Sequence, residues 1–212
     1  EQTSMATPKL QYSPKLQYQL DAIRSVVNLF KGLPKSNTGE FTEPRQSVAL
    51  KGLEVSDKKG ISNRFASRLS DDALLANIQD VQRNNFLPRD KKQDNKPISM
   101  EFDIEMETGT GKTYVYLRTI HELHQAYGFS KFLILVPTLP IRAGIAKSLE
   151  TMHDHFQALY PTTFMDKPII YENGKLQYIN AFAESANLSI MVMTIQAINS
   201  ANNIINQAQD SL

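Results

Sequence analysis

Cysteine is absent from this chain of 212 residues. The absence excludes a disulfide framework, a thiolate metal site and a cysteine nucleophile. No apolar run approaches the roughly 18 consecutive residues of a membrane span, and the first residues lack the apolar segment of a secretory signal. An excess of one charge is missing too, because 23 Lys and Arg nearly balance 22 Asp and Glu, for a net charge of +1. We therefore expect a cytoplasmic protein without a membrane segment, on which any surface for nucleic acid is a local patch.

A glycine-rich segment is the most informative part of the sequence. Residues 105–113 are Glu-Met-Glu-Thr-Gly-Thr-Gly-Lys-Thr. Apolar alternation over 98–106 predicts a β-strand before this segment, and the spacing over 114–127 predicts a helix after it. A strand, a glycine-rich turn, Lys-Thr and a helix together indicate the phosphate-binding loop of a nucleoside triphosphatase. The segment is a near miss to the strict pattern, which has glycine where this chain has Met106, but its core Thr-Gly-Thr-Gly-Lys-Thr is intact.

Each residue of the loop has a physical role in that interpretation. The two glycines permit backbone angles and a close approach that a Cβ would prevent, so that backbone N–H groups can converge on phosphate oxygens at a helix N-terminus. Lys112 can reach the β and γ phosphates of ATP as the catalytic cation, and Thr113 can bind Mg²⁺. The alternative, a glycine-rich turn with a surface lysine, does not explain the Lys-Thr pair. The predicted cofactor-binding residues of the loop are Thr108, Gly109, Thr110, Gly111, Lys112 and Thr113.

Two helices are predicted before the loop. Ser13-Pro14 is typical of a helix start, and apolar residues then repeat at helical spacing as far as Phe30. Ser70, followed by two aspartates, predicts the N-terminus of a second helix over about 71–85. Between the two helices, 31–70 carries glycines and prolines among many charges. This composition predicts an irregular segment with a short hairpin around 47–55.

Strands alternate with helices after the loop, which favours an α/β fold with a parallel sheet. The apolar run before Pro137 is typical of a buried parallel strand. The predicted elements are a strand over 131–136, a helix over 140–159, strand pieces at 169–171 and 176–182 around a Glu-Asn-Gly turn, a buried strand over 188–195, and a helix over 197–209.

Three segments together resemble the motor domains of superfamily 2 helicases: Tyr18-Gln19, 106–113 and 136–144. More narrowly, the loop sequence, followed by Tyr127-Gly-Phe-Ser-Lys-Phe and preceded by Leu-Leu-Ala-Asn-Ile-Gln-Asp-Val-Gln, is similar to the restriction (Res) subunit of type III restriction–modification enzymes.

This resemblance implies a RecA-like P-loop domain, with a central, mostly parallel sheet flanked by helices. It divides the chain into an N-terminal helix over 1–30, an insertion over 31–98, and the RecA-like core over 99–212.

The resemblance also implies roles for residues outside the loop. Gln19 would read adenine, since a carboxamide offers one donor and one acceptor to the base edge. Thr138 and Arg142 would grip a single-strand phosphate backbone, and Thr194 falls where a further nucleic-acid motif would lie. The alternatives, a surface glutamine in a helix, an N-capping threonine and a solvated arginine, remain open at this point.

An acidic strand end that would hold Mg²⁺ and orient the attacking water is missing from the sequence. The strand over 131–136 ends in Pro-Thr, and the strand over 188–195 ends in Thr-Ile-Gln. In the resembled family an Asp-Glu motif follows farther along, and a nuclease site lies downstream. We therefore expect an incomplete motor domain that binds nucleotide weakly and does not hydrolyse it alone.

The activity implied by the resemblance is that of an ATP-dependent DNA translocase or helicase-like motor of a type III restriction endonuclease. The implied cofactors are ATP and Mg²⁺, and the implied partners are double-stranded DNA and a methyltransferase (Mod) subunit. Three alternatives remain open: an RNA helicase of the same superfamily, a small-molecule kinase built on the same loop, and a non-catalytic nucleotide-binding module.

Overall fold

The computed structural model describes four stretches of the chain, residues 12–35, 69–90, 98–172 and 176–199. The hairpin predicted around 47–55 lies outside the described residues, and so does most of the helix predicted over 197–209. Among the described residues, no helix is both long enough and apolar enough to cross a membrane. In chain order the elements are α1 (Gln17–Asn28), α2 (Asp71–Asn84), α3 (Lys112–Tyr127), β1 (Lys131–Val136), α4 (Leu139–Leu159), β2 (Ile169–Ile170), α5 (Leu176–Glu184), β3 (Ser189–Thr194) and α6 (Ile195–Asn199).

The three strands form one parallel sheet in the order β1-β3-β2. β3 lies in the centre, and all six of its residues are buried. Val136 at the end of β1 pairs with Thr194 at the end of β3, so these two strands end together. A parallel sheet with helices between its strands confirms the predicted α/β class.

Helices cover both faces of the central strand. On one face, α3 and α4 pack against Val136, Ile190 and Val192. On the other face, Met191 and Met193 pack in a second apolar cluster with residues of α5 and α6. Successive residues of a strand point to opposite faces. Because β3 is covered on both, its sequence is a continuous apolar run rather than an alternating one.

In the part of the chain that the structure describes, β1 is an edge strand and is covered on one face only. Leu133 and Leu135 are 55% and 48% exposed, whereas Phe132, Ile134 and Val136 pack into the main core. The prediction of a parallel strand is confirmed, but the prediction that it is buried is wrong for one face. Among the described residues, the second apolar cluster includes the methionines of β3 and no residue of β1.

The strand predicted over 98–106 is wrong, because this segment pairs with no strand among the described residues. Its alternating apolar side chains, Met100, Phe102 and Ile104, are each at least 40% exposed. Alternation favours an extended chain, but a strand also needs a neighbour with which to exchange backbone hydrogen bonds.

The strand piece predicted over 176–182 is wrong as well, because these residues lie in the helix α5. Tyr178, Ile179 and Phe182 recur at helical spacing and pack together against the second apolar cluster. β2 and β3 are parallel, and parallel neighbours need a crossover connection rather than a tight turn. α5 provides that crossover.

The helices before the loop pack on one another. α2 begins as predicted, since Ser70 Oγ accepts a hydrogen bond from the N–H of Ala73 at 3.3 Å. α1 begins later than Ser13-Pro14 predicted, with Leu16 at the N-cap position and no side-chain cap. Asn77 of α2 donates from Nδ2 to the carbonyls of Leu29 and Lys31 at 3.1 and 2.8 Å. This amide satisfies two carbonyls of the segment that directly follows α1.

Candidate nucleotide-binding site

The glycine-rich segment turns directly into the N-terminus of α3. Gly111 lies just before the helix with φ 86°, and Gly109 has φ 83°. Both angles lie in the left-handed region, which glycine adopts without the steric cost of a Cβ. Thr110 closes the turn, since its Oγ1 and its N–H donate to the carbonyl of Glu107 at 2.7 and 3.4 Å. The backbone of the turn therefore requires the two glycines that the sequence singled out.

Three backbone N–H groups at the start of α3 have no partner within the helix. The first helical hydrogen bond runs from the N–H of Val115 to the carbonyl of Gly111 at 3.0 Å. The N–H groups of Lys112, Thr113 and Tyr114 precede it. The Lys112 side chain is exposed, and that of Thr113 is half-buried. Together with the helix dipole, these donors suit a bound phosphate.

The loop is open to solvent at Thr108 and Gly109. A Cβ built on Gly109 would meet no atom within 4 Å, and both Thr108 and Gly109 are exposed. Backbone donors, an ammonium and a hydroxyl are the groups that bind a triphosphate with Mg²⁺ in such loops. Thr113 is the candidate Mg²⁺ ligand of the loop. Elsewhere in the described residues, no group of three His, Asp or Glu side chains is placed to hold a metal ion.

Gln19 of α1 contacts the loop, although 91 positions separate it from Thr110 in the chain. Its Nε2 donates to the Thr110 carbonyl at 2.8 Å, and its side chain is buried, at 6% exposure. The Tyr18 hydroxyl donates to the same carbonyl at 3.2 Å. Gln19 is therefore not a surface residue. Tyr18 is a contact that the sequence patterns do not predict, and its position next to Gln19 is the one sequence feature that points to it.

Arg118 of α3 holds the segment that precedes α1. Its Nη1 donates to the carbonyl of Pro14 at 2.6 Å, and its Nε donates to the Tyr160 hydroxyl at 3.2 Å. Burial raises the pKa of Tyr160, so this hydroxyl stays protonated. The ring of Tyr12 stacks on that of Tyr114, with centroids 6.0 Å apart. These contacts fix the start of α1 against the helix that begins at the loop.

The loop lies at the carboxyl edge of the sheet. α3 leads away from the loop, and β1 follows it after a short turn, so the helix N-terminus and the carboxyl end of β1 share one side of the fold. Thr138 follows β1, and Thr194 ends β3, at the same edge. Ligands of open α/β sheets bind at this edge.

The three residues predicted to contact nucleic acid differ in accessibility. Thr138 is exposed at the N-cap position of α4, and its side chain makes no capping hydrogen bond. Thr194 is buried, at 8% exposure. Arg142 is half-buried, and its Nη1 donates to the carbonyl of Tyr171 at 2.5 Å. Arg142 is thus tied to the backbone after β2 rather than being a solvated arginine.

Asp166 lies beside the amino ends of β1 and β3, opposite the loop. Its carboxylate accepts hydrogen bonds from Ser185 and from Asn187, the latter at 2.8 Å. Burial alone would raise the pKa of Asp166, but these hydrogen bonds and the charge of Lys131 hold that pKa below its usual range. Asp166 therefore orders the start of the strands and is not available to Mg²⁺ at the loop.

Comparison with known proteins gives one family. The family model described as "Type III restriction enzyme, res subunit" matches residues 14–212. The Res subunit of the type III restriction-modification enzyme EcoP15I from Escherichia coli is 33% identical over 197 residues, covering 87% of this chain and 18% of that protein.

Two further relatives carry the same description. The EcoPI Res subunit of Escherichia phage P1 is 33% identical over 144 residues, covering 62% of this chain and 14% of that protein. The StyLTI Res subunit of Salmonella typhimurium is 47% identical over 66 residues, covering 30% and 7%. The chain spans less than a fifth of the length of these curated relatives. Since the family model matches nearly all of it, from α1 through the loop and the sheet, the chain belongs to the family of type III restriction enzyme Res subunits.

Proposed function

We propose that this chain is the ATP-binding part of a motor that couples ATP hydrolysis to translocation along, or switching on, double-stranded DNA before cleavage by a type III restriction enzyme. The observation that carries the proposal is the glycine turn at the N-terminus of α3. It places Lys112 beside three backbone N–H groups that have no partner within the helix. Membership of the Res family supports the same function, since its named relatives are restriction-modification enzymes.

In this proposal the residues of the loop bind and orient the triphosphate. The N–H groups of Lys112 and Thr113 bind phosphate oxygens, and the ammonium of Lys112 stabilises the negative charge that develops during transfer. Thr113 would hold Mg²⁺, and that ion would supply positive charge to offset the charge of the phosphates. Gln19 is the proposed adenine reader, because its Oε1 and its second N–H are not used by the contact with Thr110.

The proposed nucleic-acid surface is the carboxyl edge beside the loop. Thr138 is its most accessible candidate, because its hydroxyl is exposed and caps no helix. Arg142 can still donate to a phosphate, since a guanidinium has five N–H groups and the Tyr171 carbonyl takes one of them. Thr194 is the third proposed nucleic-acid residue, and its side chain is buried below this surface. A methyltransferase (Mod) subunit is the proposed partner that supplies sequence recognition.

The decisive measurement is the ATPase rate of the intact protein with its Mod subunit on duplex DNA that carries recognition sites. Lys112→Ala should lower the rate at least about 100-fold, which is the typical loss when one transition-state donor is removed. Lys147→Ala is the matched control, because Lys147 is a 73% exposed lysine on α4. Equal rates in the wild type and in Lys112→Ala would overturn the proposal.

The 212 residues by themselves should bind Mg·ATP weakly and without turnover, because neither the strand predicted over 131–136 nor the one over 188–195 ends in an acidic residue. Hydrolysis by this chain that disappears in Lys112→Ala would contradict that expectation. Stimulation of the intact protein by single-stranded RNA instead of duplex DNA would favour an RNA helicase. Binding of ATP without hydrolysis under all conditions would favour a non-catalytic module, and phosphate transfer to a metabolite would favour a kinase.

A further inference from the structure

The carbonyl of Thr110 receives two hydrogen bonds from neighbouring residues of α1. Gln19 Nε2 lies 2.8 Å from the carbonyl oxygen, and the Tyr18 hydroxyl lies 3.2 Å from it. A carbonyl oxygen has two lone pairs, so these donors can use its full capacity. The carbonyl of a phosphate loop, rather than one of its N–H groups, is thus the point at which α1 holds the loop.

The direction of this carbonyl sets the direction of the next N–H group. The peptide between Thr110 and Gly111 is planar and trans, so its C=O and its N–H point to opposite sides. With the carbonyl turned toward α1, the N–H of Gly111 turns away from α1. That N–H directly precedes the N–H groups of Lys112 and Thr113, which have no partner within α3.

A peptide that is followed by glycine can reverse this orientation easily. Gly111 has no Cβ, so rotation of the peptide plane meets little steric resistance. In the reversed orientation the carbonyl oxygen would face the phosphate, where two negative groups repel, and the N–H of Gly111 would be lost to it. The two donors on α1 oppose that reversal by stabilising the orientation in which the N–H is available.

We propose that Tyr18 and Gln19 are positioning residues that hold the Thr110–Gly111 peptide with its N–H toward the phosphates of the nucleotide. The proposal rests on the proposed nucleotide site and extends it. It gives Tyr18 a role that depends on its hydroxyl alone, since the side chain is 50% exposed and adds little to the core. It also gives Gln19 a role that does not depend on the base.

Inorganic tripolyphosphate separates positioning from base reading, because it carries the phosphates without a base. The experiment measures the affinity of the intact protein, with Mg²⁺, for tripolyphosphate, ATP and GTP. Tyr18→Phe removes one neutral hydrogen bond and should weaken all three by the same factor, about threefold to tenfold. Tyr127→Phe is the matched control, because its hydroxyl donates to the carbonyl of Val27 at 2.9 Å, between the same two helices but away from the loop. This control should leave all three affinities unchanged.

The outcomes distinguish the two proposals. Loss of ATP affinity alone in Tyr18→Phe or Gln19→Glu, with tripolyphosphate binding unchanged, would overturn positioning and leave a base reader. Equal losses in Tyr18→Phe and Tyr127→Phe would also overturn it, since they would reflect the docking of α1 in general. Failure of the proposed nucleotide site looks different, because Lys112→Ala would then bind tripolyphosphate and ATP as well as the wild type does.

Discussion

Alanine at Gly111 should destabilise the protein more than alanine at Gly109, although the two glycines have nearly the same backbone conformation, with φ 86° and 83°. A Cβ at Gly109 would meet nothing within 4 Å. A Cβ at Gly111 would stand 2.6 Å from Nε2 of Gln19, closer than real Cβ contacts allow. The two substitutions therefore share the strain of the backbone and differ only in the displacement of Gln19.

The magnitudes follow from these distances. A left-handed alanine costs about 1–2 kcal/mol, and both variants carry that cost. In Gly111→Ala the amide of Gln19 must also rotate away, which breaks its hydrogen bond to the Thr110 carbonyl. Because the side chain is only 6% exposed, the lost bond and the displaced amide add about 1–2 kcal/mol. We expect the free energy of unfolding to fall by about 1–2 kcal/mol in Gly109→Ala and by about 2–4 kcal/mol in Gly111→Ala.

Urea denaturation followed by circular dichroism measures both free energies. A Gln19→Ala background provides the stricter comparison, since the second variant then loses its clash and should cost no more than the first. Equal destabilisation of the two glycine variants in the wild-type background would refute the reasoning. It would mean that Gln19 does not lie against the loop in solution.

Three further predictions concern stability. Burial lowers the pKa of His121 to about 4, so the unfolded chain, with a histidine pKa near 6.5, takes up a proton at a higher pH than the folded chain does. The free energy of unfolding should therefore fall as the pH drops from about 6.5 to about 4. His121→Phe should reduce that fall in urea titrations. The pKa of Asp166 is depressed in the fold, so Asp166→Ala should cost about 1–3 kcal/mol near neutral pH, and the difference should shrink as the pH falls through that pKa. Asn77→Ala should cost about 1–2 kcal/mol in thermal unfolding, whereas alanine at the exposed Asn84 should have little effect.

The elements that the sequence predicts well are those whose local signals and packing agree. α2 has a serine cap, two aspartates in its first turn and apolar residues at helical spacing, and it forms over Asp71–Asn84. β3 is a continuous apolar run and lies buried in the centre of the sheet. In both segments the apolar residues of the sequence pattern are the ones that the fold buries, so local preference and tertiary context do not conflict.

The wrong predictions, by contrast, concern segments whose structure depends on contacts with other elements. Over 98–106 the alternation was clear, but pairing depends on a neighbour that local sequence does not specify. Over 176–182 a short apolar segment fitted both a strand and a helix, and the parallel pairing of β2 with β3 decided for the helix. The exposure of Leu133 and Leu135 depends in the same way on which elements cover β1.

Gln19 contacts the loop although 91 positions separate it from Thr110, and the sequence does not predict this contact. The predicted insertion over 31–98 lies between them. Ile98 nevertheless packs against the cluster that Leu29, directly after α1, forms with Leu74 and Ile78 of α2. The described residues on either side of this span therefore lie close together. The entropic cost of closing such a segment grows only with the logarithm of its length. A long insertion at this position consequently leaves the distance from α1 to the loop unchanged, and the placement of Gln19 on Thr110 depends on the packing of α1 against α3.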